Sequence, residues 1–146
     1  MMTRPMLYWE EVSEGMEIPP ISLELTIRRM IMAVCGTRDL YPLHHDRDYA
    51  RAMGQKDMVP NILFLGAFLG RCLTDWTGPT GKIRKLNVVA GTPSYPGETI
   101  TASGRVTKKY VSDGDHKVDC HLVVTKADAT TIVNCRVTVI IPSKEQ

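Results

Sequence analysis

The sequence has 146 residues, of which 43% are hydrophobic and 23% are charged, and these ordinary globular values exclude disordered and fibrous proteins. The formal net charge is only +2 and no block of like charges occurs, so a nucleic-acid partner is not implied. The length suits one domain, which we assign to residues 1–146.

Cysteine usage and hydropathy point to a cytoplasmic protein. No apolar run is long enough to span a membrane, and the first residues lack the apolar core of a signal peptide. The cysteines have no C-x-x-C spacing and lie in apolar patterns, which predicts buried free thiols and no zinc site. They are Cys35, Cys72, Cys120 and Cys135.

The first third of the chain predicts a strand followed by a short helix. Apolar residues alternate with polar ones over residues 21–27, which is typical of a half-buried strand. From Thr26 the apolar spacing becomes helical, and Gly36 is expected to end the helix as its C′ residue. The helical stripe consists of Ile27, Met30, Ile31 and Val34.

A polar loop and an apolar helix come next. Residues 37–48 have neither helical nor strand periodicity, whereas the segment from Pro60 to about Trp76 is apolar on nearly every helical face. A helix without a polar face must be surrounded by protein. Gly66 and Gly70 would allow a sheet or a second helix to approach its backbone closely.

The second half of the chain predicts four strands, over residues 83–89, 100–107, 118–124 and 131–141. Asp113-Gly114 is a strong hairpin signal. Strands that follow a helix and are joined by short connections favour an α+β fold with an antiparallel sheet. We expect this curved sheet to wrap the apolar helix as a hot-dog fold, leaving an edge strand that favours dimerisation.

The polar loop contains the candidate chemistry. Asp39 and His44 lie five positions apart with Pro42 between them, and a carboxylate beside an imidazole is suited to acid–base catalysis. The spacing alone is a weak pattern, because Asp39 in a turn and His44 as a surface histidine explain it equally. A metal site built from His44 and its neighbours is not expected, since adjacent side chains diverge and no further ligand cluster exists.

The motif at Asp39 resembles that of a known family. The run Asp39-Leu40-Tyr41-Pro42-Leu43-His44, with Asp46 beyond it, is similar to the hydratase motif G-D-x-N-P-L-H-x-D of the MaoC-like (R)-specific enoyl-CoA hydratases. The resemblance implies a hot-dog fold over about residues 7–141, with Asp39 and His44 as the catalytic pair. Three departures are Arg38 for glycine, Tyr41 for asparagine, and Pro60-Asn61 where the family usually has His-Gly.

A narrower resemblance covers several separated segments. The chain is similar to the small MaoC subunits of actinobacterial steroid side-chain enoyl-CoA hydratases, which work with a larger MaoC-containing partner. This implies a bulky, steroid-type acyl-CoA substrate and either a homodimer or a heteromer with a second hot-dog subunit. The segments are residues 37–39, 44–48, 56–57, 61–63 and 74–79.

The implied reaction is addition of water to an α,β-unsaturated thioester. The developing enolate oxygen needs hydrogen-bond donors, and the free N–H groups at Asn61 and Ile62 are the natural ones, although Asn61 also suits a simple helix cap. Candidate substrate contacts are Tyr41 and, for CoA phosphates, Lys82, Arg84 and Lys85, which also suit a solvated strand face. No cofactor is expected, since CoA is part of the substrate.

Other functions remain open at this point. A 3-hydroxyacyl-thioester dehydratase would run the same chemistry backwards, and a non-catalytic acyl-CoA-binding subunit would need no acid–base pair. A hot-dog thioesterase is disfavoured, because such enzymes generally carry an acidic residue on or beside the central helix. Here the acidic residue within 61–76 is Asp75, at the far end.

Overall fold

The computed structural model describes residues 6–145, so the ends of the assigned domain, residues 1–5 and 146, lie outside the described residues. Short 3-10 turns cover Trp9–Glu11 and Pro42–His44. The predicted helices and strands occur in the expected order. The elements are β1 (Glu17–Glu24), α1 (Ile27–Thr37), α2 (Arg47–Ala52), α3 (Ile62–Thr77), β2 (Lys82–Ala90), β3 (Thr99–Ser112), β4 (Asp115–Lys126) and β5 (Thr131–Ile140). Strands β2, β3 and β4 extend beyond the residues that periodicity indicated, whereas β1 lies nearer the N-terminus than predicted and β5 ends one residue earlier.

The five strands form one antiparallel sheet in the order β1-β3-β4-β5-β2. Register shifts interrupt all four strand pairs, for example between Val106 and Lys108 of β3. Such bulges bend a strand and increase its twist, so the sheet curves around α3. The prediction of an α+β hot-dog fold is confirmed.

Alternation along β4 separates an inner side from an outer side of the sheet. Val118, Cys120 and Leu122 are at most 2% exposed and face α3, whereas the intervening His121 is exposed. Residues of α3 complete the core from the other side, and they include Leu65, Phe68, Leu69, Cys72 and Leu73. One strand thus contributes to both a dry core and a polar surface.

The hairpin between β3 and β4 has the turn that Asp113-Gly114 predicted. Asp113 has φ 56° and Gly114 has φ 78°, and Ser112 pairs with Asp115 across the turn. Positive φ at both central residues matches the twist of a two-residue hairpin, which explains the preference for Asp-Gly at this position.

Helix α3 is covered by its own sheet on one side. A Cβ atom added at Gly66 would lie 3.8 Å from Val88, and one added at Gly70 would lie 3.9 Å from Ile83, so β2 approaches both glycines at ordinary contact distance. On the remaining side Ile62 is 41% exposed and Leu63 is 54% exposed. The sheet therefore leaves the start of α3 partly uncovered.

Two details differ from the sequence predictions. Helix α1 does not end at Gly36, because the chain continues one helical residue further and Arg38 takes the left-handed conformation with φ 57°. Cys35 is exposed, since it lies on the solvent side of α1, while the other three cysteines are buried and all four are free. Among the described residues, no helix is long and apolar enough to cross a membrane.

Candidate active site

The end of α1 sets the position of Asp39. Thr26 caps the helix at its start, where its hydroxyl accepts a hydrogen bond from the Arg29 N–H. Thr37 is the last helical residue, and Arg38 in the left-handed conformation then turns the chain away from the helix axis. Asp39 follows this turn directly, so its direction depends on where α1 stops.

The loop that carries His44 is fixed at several points. Asp46 caps α2 by accepting hydrogen bonds from the N–H groups of Asp48 at 2.9 Å and Tyr49 at 3.0 Å. Arg47 Nε donates to Asp57 Oδ1 at 3.0 Å. Burial would raise the pKa of Asp57, but the hydrogen bonds from Arg47 and from the Met58 N–H outweigh burial and lower it. The residues after the motif thus hold the loop in place.

The ring of His44 is oriented by a main-chain carbonyl. Its Nδ1 lies 2.8 Å from the Val59 carbonyl oxygen. A carbonyl only accepts, so Nδ1 carries the proton, and in the neutral ring Nε2 is left with a lone pair. This Nε2 lies 3.4 Å from Asp39 Oδ2. Two acceptors therefore face each other across a gap longer than a charged hydrogen bond of about 2.8 Å.

The pair is shielded but remains open to small molecules. The side chain of His44 is 13% exposed and that of Asp39 is 28% exposed. A water molecule between the two acceptors could donate one hydrogen to each of them. No cluster of potential metal ligands occurs in the part of the chain that the structure describes.

Tyr41 stands beside His44. The two rings meet edge to face, with centroids 5.9 Å apart, and Tyr41 is 44% exposed. Its hydroxyl lies 3.4 Å from that of Tyr49, and this hydrogen bond raises the pKa of Tyr49. Tyr41 thus forms one wall beside the Asp39–His44 pair and is directed towards α2.

Asn61 joins the start of α3 to the end of α1. It is 1% exposed, and its Oδ1 accepts a hydrogen bond from the Phe64 N–H at 2.7 Å. Its Nδ2 donates to Thr37 Oγ1 at 2.8 Å, while Thr37 Oγ1 donates to the Ala33 carbonyl. The cap interpretation of Asn61 is confirmed. Among the described residues, the N–H groups of Asn61 and Ile62 have no acceptor.

The basic residues predicted to contact CoA phosphates lie away from the Asp39–His44 pair. Lys82, Arg84 and Lys85 belong to the first half of β2, which runs beside the C-terminal half of α3, since Ile83 meets Gly70. At 1.5 Å per helical residue, that contact is about 14 Å along α3 from Asn61. The structure does not bring these three residues to the Asp39–His44 pair.

Two residues of the site were missed by the sequence analysis. Thr37 and Val59 contact Asn61 and His44 across separations of 24 and 15 residues, respectively. A threonine hydroxyl bonding to the carbonyl four residues earlier is a local habit of helices and carries no functional signal. The Val59 contact uses the main chain, so no residue type could have indicated it.

No protein-family model matches the sequence. A curated relative from Mycobacterium tuberculosis, the 3-oxo-4,17-pregnadiene-20-carboxyl-CoA hydratase beta subunit, is 38% identical over 100 residues, which is 68% of this chain and 76% of that protein. The solved ChsH1–ChsH2 complex from the same organism contains a chain with 32% identity and a TM-score of 0.80, covering 88% of this chain and 98% of that one.

A more distant structure has the same fold. The MaoC-like dehydratase from Rhodospirillum rubrum is 17% identical with a TM-score of 0.82, covering 94% of this chain and 98% of that chain. The identity and coverage of the curated relative, together with the shared fold, decide the family. The chain belongs to the MaoC-like hydratases and dehydratases, which are hydro-lyases with a hot-dog fold.

Proposed function

We propose that the protein adds water across the 2,3-double bond of a 2-enoyl-CoA thioester, with Asp39 and His44 as the acid–base pair. The observation that carries the proposal is the geometry of His44. Its Nδ1 is committed to the Val59 carbonyl, and Nε2 faces Asp39 Oδ2 at 3.4 Å. The named activity of the curated relative, a CoA-thioester hydratase, supports the same chemistry.

The pair can supply both proton transfers. A water that donates to His44 Nε2 and Asp39 Oδ2 presents its oxygen lone pairs away from them, towards Cβ of the substrate. As the C–O bond forms, one of the two groups takes the water proton, and the pair then delivers a proton to Cα. Water adds as OH at Cβ and H at Cα, and the pair returns to its starting protonation state.

The start of α3 supplies the donors for the enolate oxygen. The N–H groups of Asn61 and Ile62 have no acceptor among the described residues, and they lie at the positive end of the helix dipole. Losing one such donor costs about 3–4 kcal/mol of transition-state stabilisation. The Thr37–Asn61 hydrogen bond would fix these donors relative to Asp39, which is two residues after Thr37.

A bulky acyl group is the proposed substrate, on the basis of the curated relative and of the side chains around the Asp39–His44 pair. The curated relative is named for a pregnadiene carboxyl-CoA, a steroid thioester. Exposed apolar side chains around the loop and the start of α3 suit a bulky acyl group, and they are Leu40, Tyr41, Met53, Ile62 and Leu63. Contact of Lys82, Arg84 and Lys85 with CoA phosphates stays a prediction. It includes contact with CoA that is bound at the site of a partner subunit.

A second hot-dog subunit is the proposed partner. The curated relative is a beta subunit, and the similar solved chain belongs to a complex. Pro19 and Pro20 interrupt the hydrogen-bonding edge of β1, whereas the other edge strand, β2, has nine residues and no proline. Together with the exposed Leu63, this edge suits a copy of the chain or a related subunit.

The test of catalysis is the loss of conjugated-enone absorbance from a 2-enoyl-CoA. Asp39→Asn and His44→Gln should each lower kcat by about 10²–10⁴-fold, because each removes a proton-transfer group. His45→Gln is the matched control, since His45 is the exposed neighbour whose Nε2 contacts the Leu40 carbonyl. Unchanged rates in both site variants, with circular dichroism unchanged, would refute the assignment.

The dehydratase alternative uses the same residues. Running the assay with a 3-hydroxyacyl-CoA would show the reverse reaction, and both variants should lose it equally, because the pair serves both directions. A non-catalytic acyl-CoA-binding subunit predicts a different result. In that case the protein, assembled with its partner, would bind the thioester while Asp39→Asn and His44→Gln left turnover unchanged.

A second pair of variants tests how the donors are held. Thr37→Val removes the acceptor for Asn61 Nδ2, whereas Thr37→Ser keeps a hydroxyl at the same place. We expect Thr37→Val to lower kcat with KM little changed, and Thr37→Ser to retain most of the activity. A loss in Thr37→Ser with activity retained in Thr37→Val would indicate a packing role for the methyl group instead.

A further inference from the structure

Three basic side chains form a line across the outer side of the sheet. Arg105 of β3 pairs with His121 of β4, and His121 pairs with Arg136 of β5. Residues directly opposite each other in antiparallel strands project from the same face. We refer to Arg105, His121 and Arg136 as the basic row, and all three are exposed.

The basic row has no partner among the described residues. Among the described residues, none of its side chains forms a hydrogen bond, an ion pair or a ring contact. Glu17 pairs in register with Arg105 at one end of the row, and Asn87 pairs with Arg136 at the other. The row therefore ends in a carboxylate on the β1 side and in a neutral amide on the β2 side.

A hollow on the β2 side gathers hydrogen-bond donors around His121 and Arg136. It has a volume of about 640 Å³, which lies within the range of small-molecule sites. Its exposed side chains are all polar, namely Lys85, Asn87, Thr107, His121 and Arg136. Its one carboxylate, Asp119, already accepts hydrogen bonds from Thr138 Oγ1 at 2.7 Å and Tyr110 at 3.2 Å.

We propose that this hollow binds an oligophosphate group, with Lys85, His121 and Arg136 as its principal contacts. Neighbouring strands lie about 4.8 Å apart, so the Cα atoms of Arg105 and Arg136 are about 10 Å apart. Two linked phosphates can therefore contact Arg136 and Lys85 while a third group extends past His121 towards Arg105. The guanidinium and ammonium groups supply charge-assisted hydrogen bonds, and the amide of Asn87 and hydroxyl of Thr107 supply neutral polar contacts.

A small ligand fits this surface better than a protein partner does. The centre of a protein interface is depleted of charge and rich in apolar or aromatic groups. The exposed side chains of the hollow are polar or charged throughout. The site is on the side of the sheet opposite α3, so it is separate from the Asp39–His44 pair and does not rest on the proposed function.

Two kinds of ligand carry linked phosphate groups of this type, namely a free nucleotide and a CoA thioester. Isothermal titration calorimetry of the protein, assembled with any partner it requires, would use pyrophosphate, ATP and CoA in turn at low salt. If CoA binds and displaces pyrophosphate, the thioester's own phosphates are the source. If pyrophosphate and ATP bind and CoA does not compete, the source is a free nucleotide.

The variant Lys85→Gln/Arg136→Gln should weaken pyrophosphate binding at least about tenfold, since one charged hydrogen bond contributes about 1.5–3 kcal/mol. The matched control is Arg28→Gln/Arg51→Gln, which removes two exposed positive charges outside the hollow. The control should bind as the unmodified protein does. Equal affinity in both double variants, or no binding of any phosphate, would overturn the proposal. Failure to bind would leave this face to an acidic protein partner.

Discussion

The inner and outer sides of the sheet are built from the same strands, yet they differ in whether their polar side chains have hydrogen-bond partners. On the inner side, where α3 and the loop of Asp39 and His44 lie, the polar side chains of the candidate site have defined partners, as Asn61 does with Thr37 and Phe64. On the outer side, the basic row has none within residues 6–145. A satisfied group maintains a fixed geometry, whereas an unsatisfied surface charge is available to bind a ligand.

Adjacent residues of β4 provide the sharpest test of this difference. Leu122 is 0% exposed and faces α3, so Leu122→Ala should lower the free energy of unfolding by about 2–5 kcal/mol through the cavity it leaves. His121→Ala, one residue earlier on the outer side, should change it by no more than about 0.5 kcal/mol. Urea denaturation of both variants measures the contrast. Similar losses would mean that the outer side is also buried in the assembled protein.

Two glycines give the next largest contrast. A Cβ atom at Gly104 would lie 2.6 Å from the His121 carbonyl oxygen and 2.7 Å from Leu122 Cγ, so Gly104→Ala should cost about 1–3 kcal/mol of stability. At Gly66 the nearest atom is 3.8 Å away, and alanine there should stabilise α3 by about 0.5–1 kcal/mol. Thermal unfolding would rank the two variants. A destabilising Gly66→Ala would point to a subunit packed against that residue.

The thiols give the smallest expected effect, which is chemical rather than energetic. Burial raises the pKa of Cys72 to about 11, of Cys120 to about 12 and of Cys135 to about 11. A raised pKa leaves these thiols protonated and unreactive at about pH 8.5, where the thiolate is the nucleophile. Native protein should therefore be alkylated by iodoacetamide at Cys35 first, and at all four residues in denaturant. Mass spectrometry would read the labels, and early modification of Cys120 would contradict the buried inner side.

Local patterns predicted much of the fold. Alternation identified the four C-terminal strands, and Asp113-Gly114 identified the hairpin, because both signals depend on near neighbours. The sequence analysis placed the end of α1 at Gly36, but Arg38 is the residue that adopts the left-handed conformation and turns the chain towards the site. Met32 and Met53 are 63% and 55% exposed, although methionine is usually found in cores.

The site was predictable to a different degree. The Asp39–His44 pair followed from its resemblance to a motif, and the structure places the two side chains 3.4 Å apart. The ties to Thr37 and Val59 did not follow, because they join segments that are distant in the sequence. The basic row was equally hidden, since it depends on the register of three strands. Lys85 was noted for phosphate binding, but its neighbours His121 and Arg136 come from two other strands.

The anchor of His44 has a consequence for comparing relatives. Many catalytic histidines are oriented by a carboxylate, and a comparison of sequences then reveals a third invariant side chain. Here the orienting atom is the Val59 carbonyl oxygen, which every amino acid carries. Residue 59 is therefore free to vary without altering the tautomer. Two relatives with different side chains at this position can therefore hold the histidine in the same orientation, because the path of the backbone sets the contact and the residue type does not.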